Sequence, residues 1–505
     1  MDDYFVVTSR SSVAFDSPQS APVTNGGPEL ADLRKYGQRV LRRFVAQARA
    51  DDQPTFARII ADHLEVPLGD LPIIEERWAS YEHVNVQSAL DVWSNESGRT
   101  VQTVGMTNYR HRGPFGLGDL VGSGDDGDMF DHGPRPGNVS RVARATGPNG
   151  ESIECIRAAI LLVSEGDDRI VVLYRGSDPE SESFGVTLEA MANRPDVAAR
   201  TTARLRELAH QHNVYRAQVV SFGHQIFDDH LDSVLRLHPR VPLDPSALVL
   251  PEATFDDVRR QVVGVARNRQ RLRASGQHLK RGLLLYGPPG VGKTHTVRYL
   301  VGELGDTTVI ELSGDTLGAI KEACSIARSL QPAMIVVEDV DLIAEQRDHY
   351  GGETPLLFTL LNEMDGLDED ADVVFLLTTN RADLLEPALA ARPGRVDQAV
   401  HIDLPDRDAR RRLIELYRAD LEVDFSRLDG VLGRTDGVTA SFLKELLRRA
   451  AVVAADRDGS DDADAQVTVT ADDLDHALED LLDTRNQMTR AVLGYTEPMR
   501  DPGSA

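Results

Sequence analysis

The segment from Gly287 to Thr294, GPPGVGKT, carries the clearest chemical signal in the chain. It matches the pattern G-x-x-x-x-G-K-[ST], follows the apolar run Leu283–Tyr286 and precedes a stretch of helical pattern. Glycines let backbone N–H groups surround phosphate oxygens, and a helix N-terminus adds unpaired donors with partial positive charge. The Lys293 ammonium suits β- and γ-phosphates, and the Thr294 hydroxyl suits Mg²⁺. The sequence therefore predicts a site for a nucleoside triphosphate and Mg²⁺.

Two carboxylates form the second candidate group. Glu338 and Asp339 end the apolar run Met334–Val337, about 45 residues after the phosphate-binding motif. Ligands of parallel sheets bind at the carboxyl ends of the strands. One acid can hold the hydration shell of Mg²⁺, and the other can orient or deprotonate an attacking water. The pair therefore favours hydrolysis of the nucleotide.

Two further groups could act on the phosphates. Asn380 lies at the polar tip of another predicted buried strand, Leu377–Asn380, and its amide could bind the water or the γ-phosphate, although a plain strand-to-turn ending is equally consistent. Arg392 and Arg395 flank a Pro-Gly turn, and guanidinium groups suit phosphate charge. Taken alone, these arginines could also be solvated surface residues.

The elements that must position these groups alternate in type. From residue 280 onward, apolar runs alternate with helical patterns, in the order GLLLYG, TVIELSG, AMIVVEDVD, DVVFLLTTN and AVHIDLP. This alternation predicts an α/β fold, with a parallel sheet covered by helices on both faces. After Pro405 the pattern becomes helical, over Ala409–Ala419, Ser441–Ala454 and Ala471–Leu482.

The first half of the chain carries a different pattern. We expect residues 1–28 to be a disordered tail and residues 29–240 to be an α+β module that binds a substrate or partner. The predicted elements are helices from Glu29 and after Asp52, two strands within 152–175 joined by a turn at 165–168, a helix over 196–212 and a strand over 215–222. The proline-rich segment 238–252 predicts a linker.

Neither of two possible metal sites has the required spacing. Residues 113–137 contain GDDGD but lack the 12-residue ligand spacing of a calcium loop, so we interpret them as a solvated loop. His210, His212, His224 and His230 lie close in sequence but lack the HEXXH spacing of metalloproteases.

Composition limits the class of protein. The chain has 505 residues, with 55 basic and 81 acidic side chains and a net charge of −26, which disfavours general binding to nucleic acid or anionic membrane. Only two cysteines are present, so a disulfide scaffold is excluded. No apolar run approaches the roughly 20 residues of a membrane helix, and the first residues do not resemble a signal peptide. We expect a cytoplasmic protein without a membrane span.

Residues 249–482 resemble one AAA module of the AAA+ ATPase superfamily. The matching segments are GPPGVGKT, the strand-ending carboxylates, LLNEMDGL (360–367), LLTTN and LLEPALAARPGRVD (384–397). The resemblance implies a P-loop ATPase subdomain over 241–405, a small helical lid over 406–483 and a flexible tail over 484–505. It also implies ATP and Mg²⁺ as ligands and a ring, usually a homo-hexamer.

The resemblance implies a role for each matching residue. In trans, Arg392 and Arg395 act on the γ-phosphate bound by a neighbouring subunit. The catalytic set is Lys293, Glu338, Asp339, Asn380, Arg392 and Arg395. The nucleotide-binding set is Gly287, Pro288, Pro289, Gly290, Val291, Gly292, Lys293, Thr294, His295, Asp257, Val258 and Tyr417, of which Asp257, Val258 and Tyr417 are expected near the adenine. Mg²⁺ is expected at Thr294 and, through water, at Glu338.

Three departures from the family pattern affect the interpretation. Relatives usually have Asp-Glu where this chain has Glu338-Asp339, which gives Glu338 the magnesium side and Asp339 the base role; mitochondrial AAA translocases that assemble the Rieske iron–sulfur subunit have a similar order. The segment 313–320 lacks the aromatic pore-loop residue of many protein unfoldases, which disfavours threading. The lid sequence 437–441, GVTAS, stands where relatives often have GFSGA.

Three functional hypotheses follow. The first is an ATPase that remodels an unknown protein client recruited by the N-terminal module. The alternative is an ATP-dependent conformational switch or scaffold with slow turnover. A DNA-processing ring is disfavoured by the charge. Proteases of the FtsH type share much of the module but also need a membrane anchor and a zinc protease domain, for which we find no sequence signal.

Overall fold

The first half of the chain builds a seven-stranded antiparallel sheet in the computed structural model, which describes residues 55–109, 115–122, 133–177, 185–223, 234–342, 356–383, 385, 396–458 and 466–483. The strands are β1 (Ile74–Trp78), β2 (Arg99–Thr107), β3 (Arg135–Gly137), β4 (Ser140–Ala145), β5 (Ser152–Glu165), β6 (Asp168–Arg175) and β7 (Val186–Ala192). Their order is β1-β7-β6-β5-β2-β3, with β4 also paired to β5. The predicted hairpin over 152–175 is confirmed as β5–β6.

Helices cover both faces of this sheet. They are α1 (Phe56–Leu64), α2 (His83–Ser94), α3 (Leu117–Gly122) and α4 (Pro195–Gln211). One apolar cluster joins α2 and α4 to the sheet, and another joins α1 and α3 to its opposite face. The prediction of a loop over 113–137 is wrong where α3 and β3 form, because Leu117 and Leu120 supply an apolar face. The expected tail over 1–28 and the helix from Glu29 lie outside the described residues.

A second sheet of seven strands lies in the other half of the chain. Its strands are β8 (Val219–Gly223), β9 (Val234–His238), β10 (Arg281–Tyr286), β11 (Thr308–Leu312), β12 (Ala333–Val337), β13 (Val373–Thr379) and β14 (Gln398–His401), in the order β14-β10-β13-β12-β11-β8-β9. The five predicted strands are β10 to β14, and all their pairings are parallel. This confirms the predicted α/β class.

Strands β8 and β9 place the boundary between the two halves earlier than predicted. The sequence assigns residues up to 240 to the N-terminal module, but β8 pairs with β11 in parallel and β9 pairs with β8. The predicted boundary at residue 240 is therefore wrong at the level of the sheets. A short apolar strand can complete either sheet, and its sequence does not state which one.

Helices pack on both faces of the second sheet. They are α5 (Glu252–Arg259), α6 (Val265–Ala274), α7 (Lys293–Glu303), α8 (Ile320–Ser329) and α9 (Leu356–Asp365), with a π-helical turn over Arg260–Gly264 between α5 and α6. One apolar cluster holds α5 and α7 against the sheet, and another holds α8 and α9 on the opposite face. The second cluster also includes Val84 and Cys155, so the N-terminal sheet and α2 pack against this half.

A small helical unit, called the lid below, follows the second sheet. It contains α10 (Arg407–Tyr417), α11 (Leu428–Arg434), α12 (Ala440–Asp458) and α13 (Ala471–Leu482), with the short parallel pair β15 (Glu422–Val423) and β16 (Thr468–Val469). Arg410 is buried in this unit and donates to the carbonyls of Pro405 and Leu432 at 3.0 and 3.2 Å. Among the described residues, none of the helices has the length and apolar character needed to cross a membrane.

The strand register brings the candidate residues to one edge of the sheet. Tyr286 pairs with Thr379, and Val337 pairs with Leu377. Gly287, Glu338 and Asn380 therefore leave their strands at the same edge, the carboxyl edge where ligands of parallel sheets bind.

Candidate functional site

The loop between β10 and α7 has the geometry of a phosphate cradle. Gly287 and Gly290 have φ angles of 152° and 78°, which residues with side chains rarely adopt. A Cβ atom on Gly287 would lie 2.3 Å from the Ile402 carbonyl oxygen, and one on Gly290 would lie 2.9 Å from Ser441 Oγ. Glycine is required at both positions because neighbouring backbone and lid atoms occupy that space.

Lys293 begins α7 and points back into this loop. Its side chain is 7% exposed, and Nζ donates to the carbonyls of Gly287 and Pro288, both at 2.9 Å. Nζ also donates to Asn380 Oδ1 at 2.8 Å. Burial lowers the pKa of the Lys293 ammonium, while Asp339 and Asp341 act in the opposite direction. The ammonium is thus held at the mouth of the loop, on acceptors that a phosphate can replace.

The two strand-ending carboxylates face different partners. Glu338 accepts a hydrogen bond from the Thr294 hydroxyl, whereas Asp339 Oδ1 accepts from Asn380 Nδ2 at 3.2 Å. Burial raises the pKa of the Glu338 carboxyl, the Thr294 bond opposes this, and the charge of Asp339 adds to it. The backbone at Asp339 is left-handed, with φ of 52°, so the chain turns between the two acids and separates their directions.

Three residues that the sequence analysis did not select hold this arrangement together. The Asp341 carboxylate accepts hydrogen bonds from Thr379 Oγ1 at 2.7 Å and from the backbone N–H of Asn380 at 3.2 Å. Thr378 Oγ1 accepts from the Asp339 amide at 3.1 Å. The signal was present in the sequence, because EDVD adds a second aspartate and TTN adds two hydroxyls at the same strand ends.

A cavity of about 420 Å³ lies beside the glycine loop. Residues from the segment before α5, the loop, the segment after β14 and the lid line it: Val249, Leu250, Pro251, Glu252, Val291, Asp403, Leu404, Pro405, Asp406, Asp408, Ala409, Arg412, Leu413 and Ala440. Its position next to the loop and its mixed apolar and acidic lining suit the base and sugar of a nucleotide.

The residues predicted near the adenine do not line this cavity. Val258 is buried in the core beneath the sheet, and Asp257 in α5 pairs with Arg260 of the following π-helical turn at 3.4 Å. Tyr417 packs within the lid. Residues 249–252 line the cavity, whereas TFDDV (254–258) lies within helix α5. His295 Nε2 contacts the Ala247 carbonyl at 3.0 Å, which fixes this upstream segment against α7.

The lid contacts the glycine loop directly. The Ser441 amide donates to the Gly290 carbonyl at 3.1 Å, and the Ser441 hydroxyl donates to the same oxygen at 3.3 Å. Because Ser441 lies in the first turn of α12, this contact connects the glycine loop directly to a lid helix.

The segment expected to form a pore loop is folded. Residues Gly314–Ala319 form a 3₁₀ helix that continues into α8, and Ser313 and Thr316 close a capping box at its start. Leu317 is 3% exposed and packs in the core cluster of α8 and α9.

Two of the residues predicted to act on the phosphates, Arg392 and Arg395, lie outside the described residues. Within the described part of the chain, no group of three or more His, Cys, Asp or Glu side chains is arranged to hold a metal ion.

A model of a known protein family matches the part of the chain that contains the glycine loop and most of the second sheet. Residues 283–404 match the family model described as ATPase family associated with various cellular activities (AAA). This match begins within β10 and ends after β14, so it covers all the strand ends that carry candidate residues.

Individual relatives extend the similarity beyond that segment. The chain is 35% identical over 284 residues to ATP-dependent zinc metalloprotease FtsH 2 of Sphaerobacter thermophilus, which covers 51% of this chain and 42% of the relative. It is 31% identical over 255 residues to FtsH of Thermus thermophilus, covering 45% and 39%. It is 27% identical over 392 residues to FtsH of a Synechococcus strain, covering 68% and 56%. The chain thus spans about half of the length of these curated relatives.

Proposed function

We propose that this chain, an AAA+ superfamily ATPase with a single AAA module, hydrolyses ATP in a ring of subunits and thereby remodels a protein recruited by its N-terminal half. The observation that carries the proposal is the hydrogen-bonded series from Lys293 through Asn380 to Asp339 at the mouth of the glycine loop. It joins a phosphate-binding cation to a carboxylate within one site.

The side chains divide the work as follows. The loop amides and Lys293 bind the β- and γ-phosphates, with Lys293 exchanging its carbonyl acceptors for phosphate oxygens. Asp339 accepts the proton of the attacking water, and Asn380 orients that water beside the γ-phosphate. The cavity lined by residues 249–252 and the lid receives the base and sugar.

The residues present fit Mg²⁺. The Thr294 hydroxyl and the Glu338 carboxylate are oxygen donors in contact with each other, and oxygen donors are the ligands that this ion prefers. Thr294 would bind the ion directly and Glu338 through water, and the bound ion would supply positive charge to the phosphates.

The ring and the cytoplasmic location belong to the same proposal. Arg392 and Arg395 are proposed to act on the nucleotide of a neighbouring subunit, in a homo-hexamer. An arginine finger is worth on the order of 10³–10⁵ in rate. Mixing Arg392→Ala subunits with Lys293→Ala subunits should therefore restore part of the activity, and activity per subunit should rise with concentration as light scattering reports association. Full activity in a species that stays monomeric would contradict this part.

A second candidate function is a conformational switch with slow turnover. Leu317 is buried and its segment is folded as a 3₁₀ helix, so the described residues of this segment expose no large apolar side chain that could grip a polypeptide. This favours a switch over threading. Contact of Ser441 with Gly290 gives such a switch a route from the nucleotide to the lid.

The deciding experiment is a Mg²⁺-dependent ATPase assay on the full chain and on Lys293→Ala. We expect hydrolysis by the wild type and none by the variant, because the cation is lost from a poorly hydrated site. Lys321→Ala, which changes an exposed lysine on α8, is the control and should hydrolyse ATP normally. Equal activity of Lys293→Ala and the wild type would refute the site. A wild-type turnover that is slow and unaffected by any protein client would select the switch.

A further inference from the structure

Asp341 is a buried carboxylate behind the candidate site. It is 8% exposed and lies two residues after Asp339, on the segment that leaves β12. Both of its described hydrogen bonds are accepted by the same oxygen, Oδ1. The donors are Thr379 Oγ1 at 2.7 Å and the backbone N–H of Asn380 at 3.2 Å.

These bonds connect the ends of two strands. The Val340 amide donates to the Thr378 carbonyl at 2.9 Å, and the Asp339 amide donates to Thr378 Oγ1 at 3.1 Å. The contact nearest to Asn380 comes from Asp341, because its carboxylate accepts a hydrogen bond from the backbone N–H of Asn380 itself. The end of β13 therefore has a fixed position relative to the acids after β12.

The position of Asn380 decides the orientation of its side chain. Its Oδ1 faces the Lys293 ammonium at 2.8 Å, and its Nδ2 faces the Asp339 carboxylate at 3.2 Å. If the side-chain amide of Asn380 were flipped, its NH₂ donor would face the Lys293 ammonium and its oxygen acceptor would face the Asp339 carboxylate. Only the observed orientation therefore satisfies both partners. A shift of the Asn380 backbone breaks one or both contacts.

We propose that Asp341 is a positioning residue for hydrolysis, which holds Asn380 in register with Lys293 and Asp339 through the single acceptor Oδ1. This inference rests on the ATP hydrolysis proposed above, at the same site. It predicts that the acceptor oxygen matters and that the negative charge does not, because an asparagine side chain also carries an Oδ1.

The test compares Asp341→Ala with Asp341→Asn in steady-state ATPase assays on the full chain. We expect Asp341→Ala to lower kcat about 10–100-fold, with KM for ATP changed little, since misplacement of a positioned group by about 1 Å costs up to about 10²-fold. Asp341→Asn should keep kcat within about threefold of the wild type, because it preserves both bonds. If Asp341→Asn is as inactive as Asp341→Ala, charge is what matters and the proposal is overturned.

A matched control separates positioning from stability. Asp372 is an equally buried aspartate, 6% exposed, immediately before the other end of β13, and it pairs with Arg269 at 3.5 Å. Asp372→Ala should lower the melting temperature and leave kcat unchanged. If Asp341→Ala does not fold, Thr379→Val removes the stronger donor to Oδ1 with little change of shape, and it should lower kcat with ATP binding retained.

A double-mutant cycle with Asn380→Ala completes the test. If Asp341 acts through Asn380, then Asp341→Ala should lower kcat no further in the Asn380→Ala background. Additive losses would overturn the proposal, as would an Asp341→Ala enzyme with wild-type kcat. The wild type and Lys293→Ala are measured in parallel: absence of Lys293-dependent hydrolysis in the wild type would refute the proposed function itself, which is a distinct outcome.

Discussion

Replacement of Asp339 by asparagine tests the order of the two acids most directly. The introduced amide would keep an Oδ1 that accepts from Asn380 Nδ2, the bond that spans 3.2 Å in the native structure. Lys293 bonds to other acceptors, so its position is preserved. We therefore expect the Kd for ATP to change by less than about threefold, which is below about 1 kcal/mol. Loss of the base should lower kcat by about 10²–10⁴-fold.

The assay combines single-turnover hydrolysis with binding of a fluorescent ATP analogue. Glu338→Gln is the companion variant: because its carboxylate bonds to Thr294, we expect a rise of about 10–100-fold in the Mg²⁺ concentration for half-maximal rate. Asp368→Asn, at an exposed position before β13, is the control. If Glu338→Gln abolishes hydrolysis at saturating Mg²⁺ while Asp339→Asn remains active, the roles of the two acids are reversed and the reasoning fails.

Three further predictions concern the loop, the lid and the core. Gly290→Ala places a methyl group against the lid at φ of 78°, which costs about 1–2 kcal/mol from the backbone alone, and it should also weaken ATP binding in calorimetry. Gly276→Ala, at φ of 69° in open space, should cost similar stability and bind ATP normally; equal binding by both variants would contradict the cradle. Arg410→Ala removes two hydrogen bonds made by a buried guanidinium, together with its ion pair to Asp436, and should lower the free energy of unfolding by about 2–3 kcal/mol in urea titrations. A loss below about 0.5 kcal/mol, the level of an ordinary surface change, would show that the lid does not depend on Arg410. Burial raises the pKa of both Cys155 and Cys324 to about 12, so only about 10⁻⁴ of each thiol is ionised at pH 8. Thiol reagents should therefore label the two cysteines only after unfolding. Rapid labelling of the native protein would contradict their burial.

The sequence predicts the second sheet well because its strands are long apolar runs. Two of the runs end at polar residues that the sequence analysis selects, Val337 before Glu338 and Asp339, and Thr379 before Asn380, so the pattern indicates both the strands and the edge. The glycine loop is equally predictable, because its spacing is required by the backbone geometry at Gly287 and Gly290. Parallel pairing then brings these ends together.

The rest of the candidate site depends on contacts between residues that are distant in the sequence, which no local sequence pattern indicates. The family resemblance implies that TFDDV lies near the adenine, and the sequence alone does not reveal that these residues belong to α5, where Val258 is buried in the core. Asp341 gains its role from Thr379, which lies 38 positions away in the chain. Such pairings depend on tertiary structure, so a single sequence gives the candidate side chains but not their partners.

The pairing of β8 with β11 has a consequence for how this protein could exchange parts with others. Strands β8 (Val219–Gly223) and β9 (Val234–His238) precede the glycine loop but belong to the sheet that carries it. The Arg240 guanidinium also bonds to the carbonyls of Val301 and Thr307 in that half. A recombination event that replaced everything before residue 241 would therefore remove two strands and expose the edge of β11. A unit that keeps both strands begins near residue 213, between α4 and β8, and we expect a chimera joined there to stay soluble more readily than one joined at residue 241.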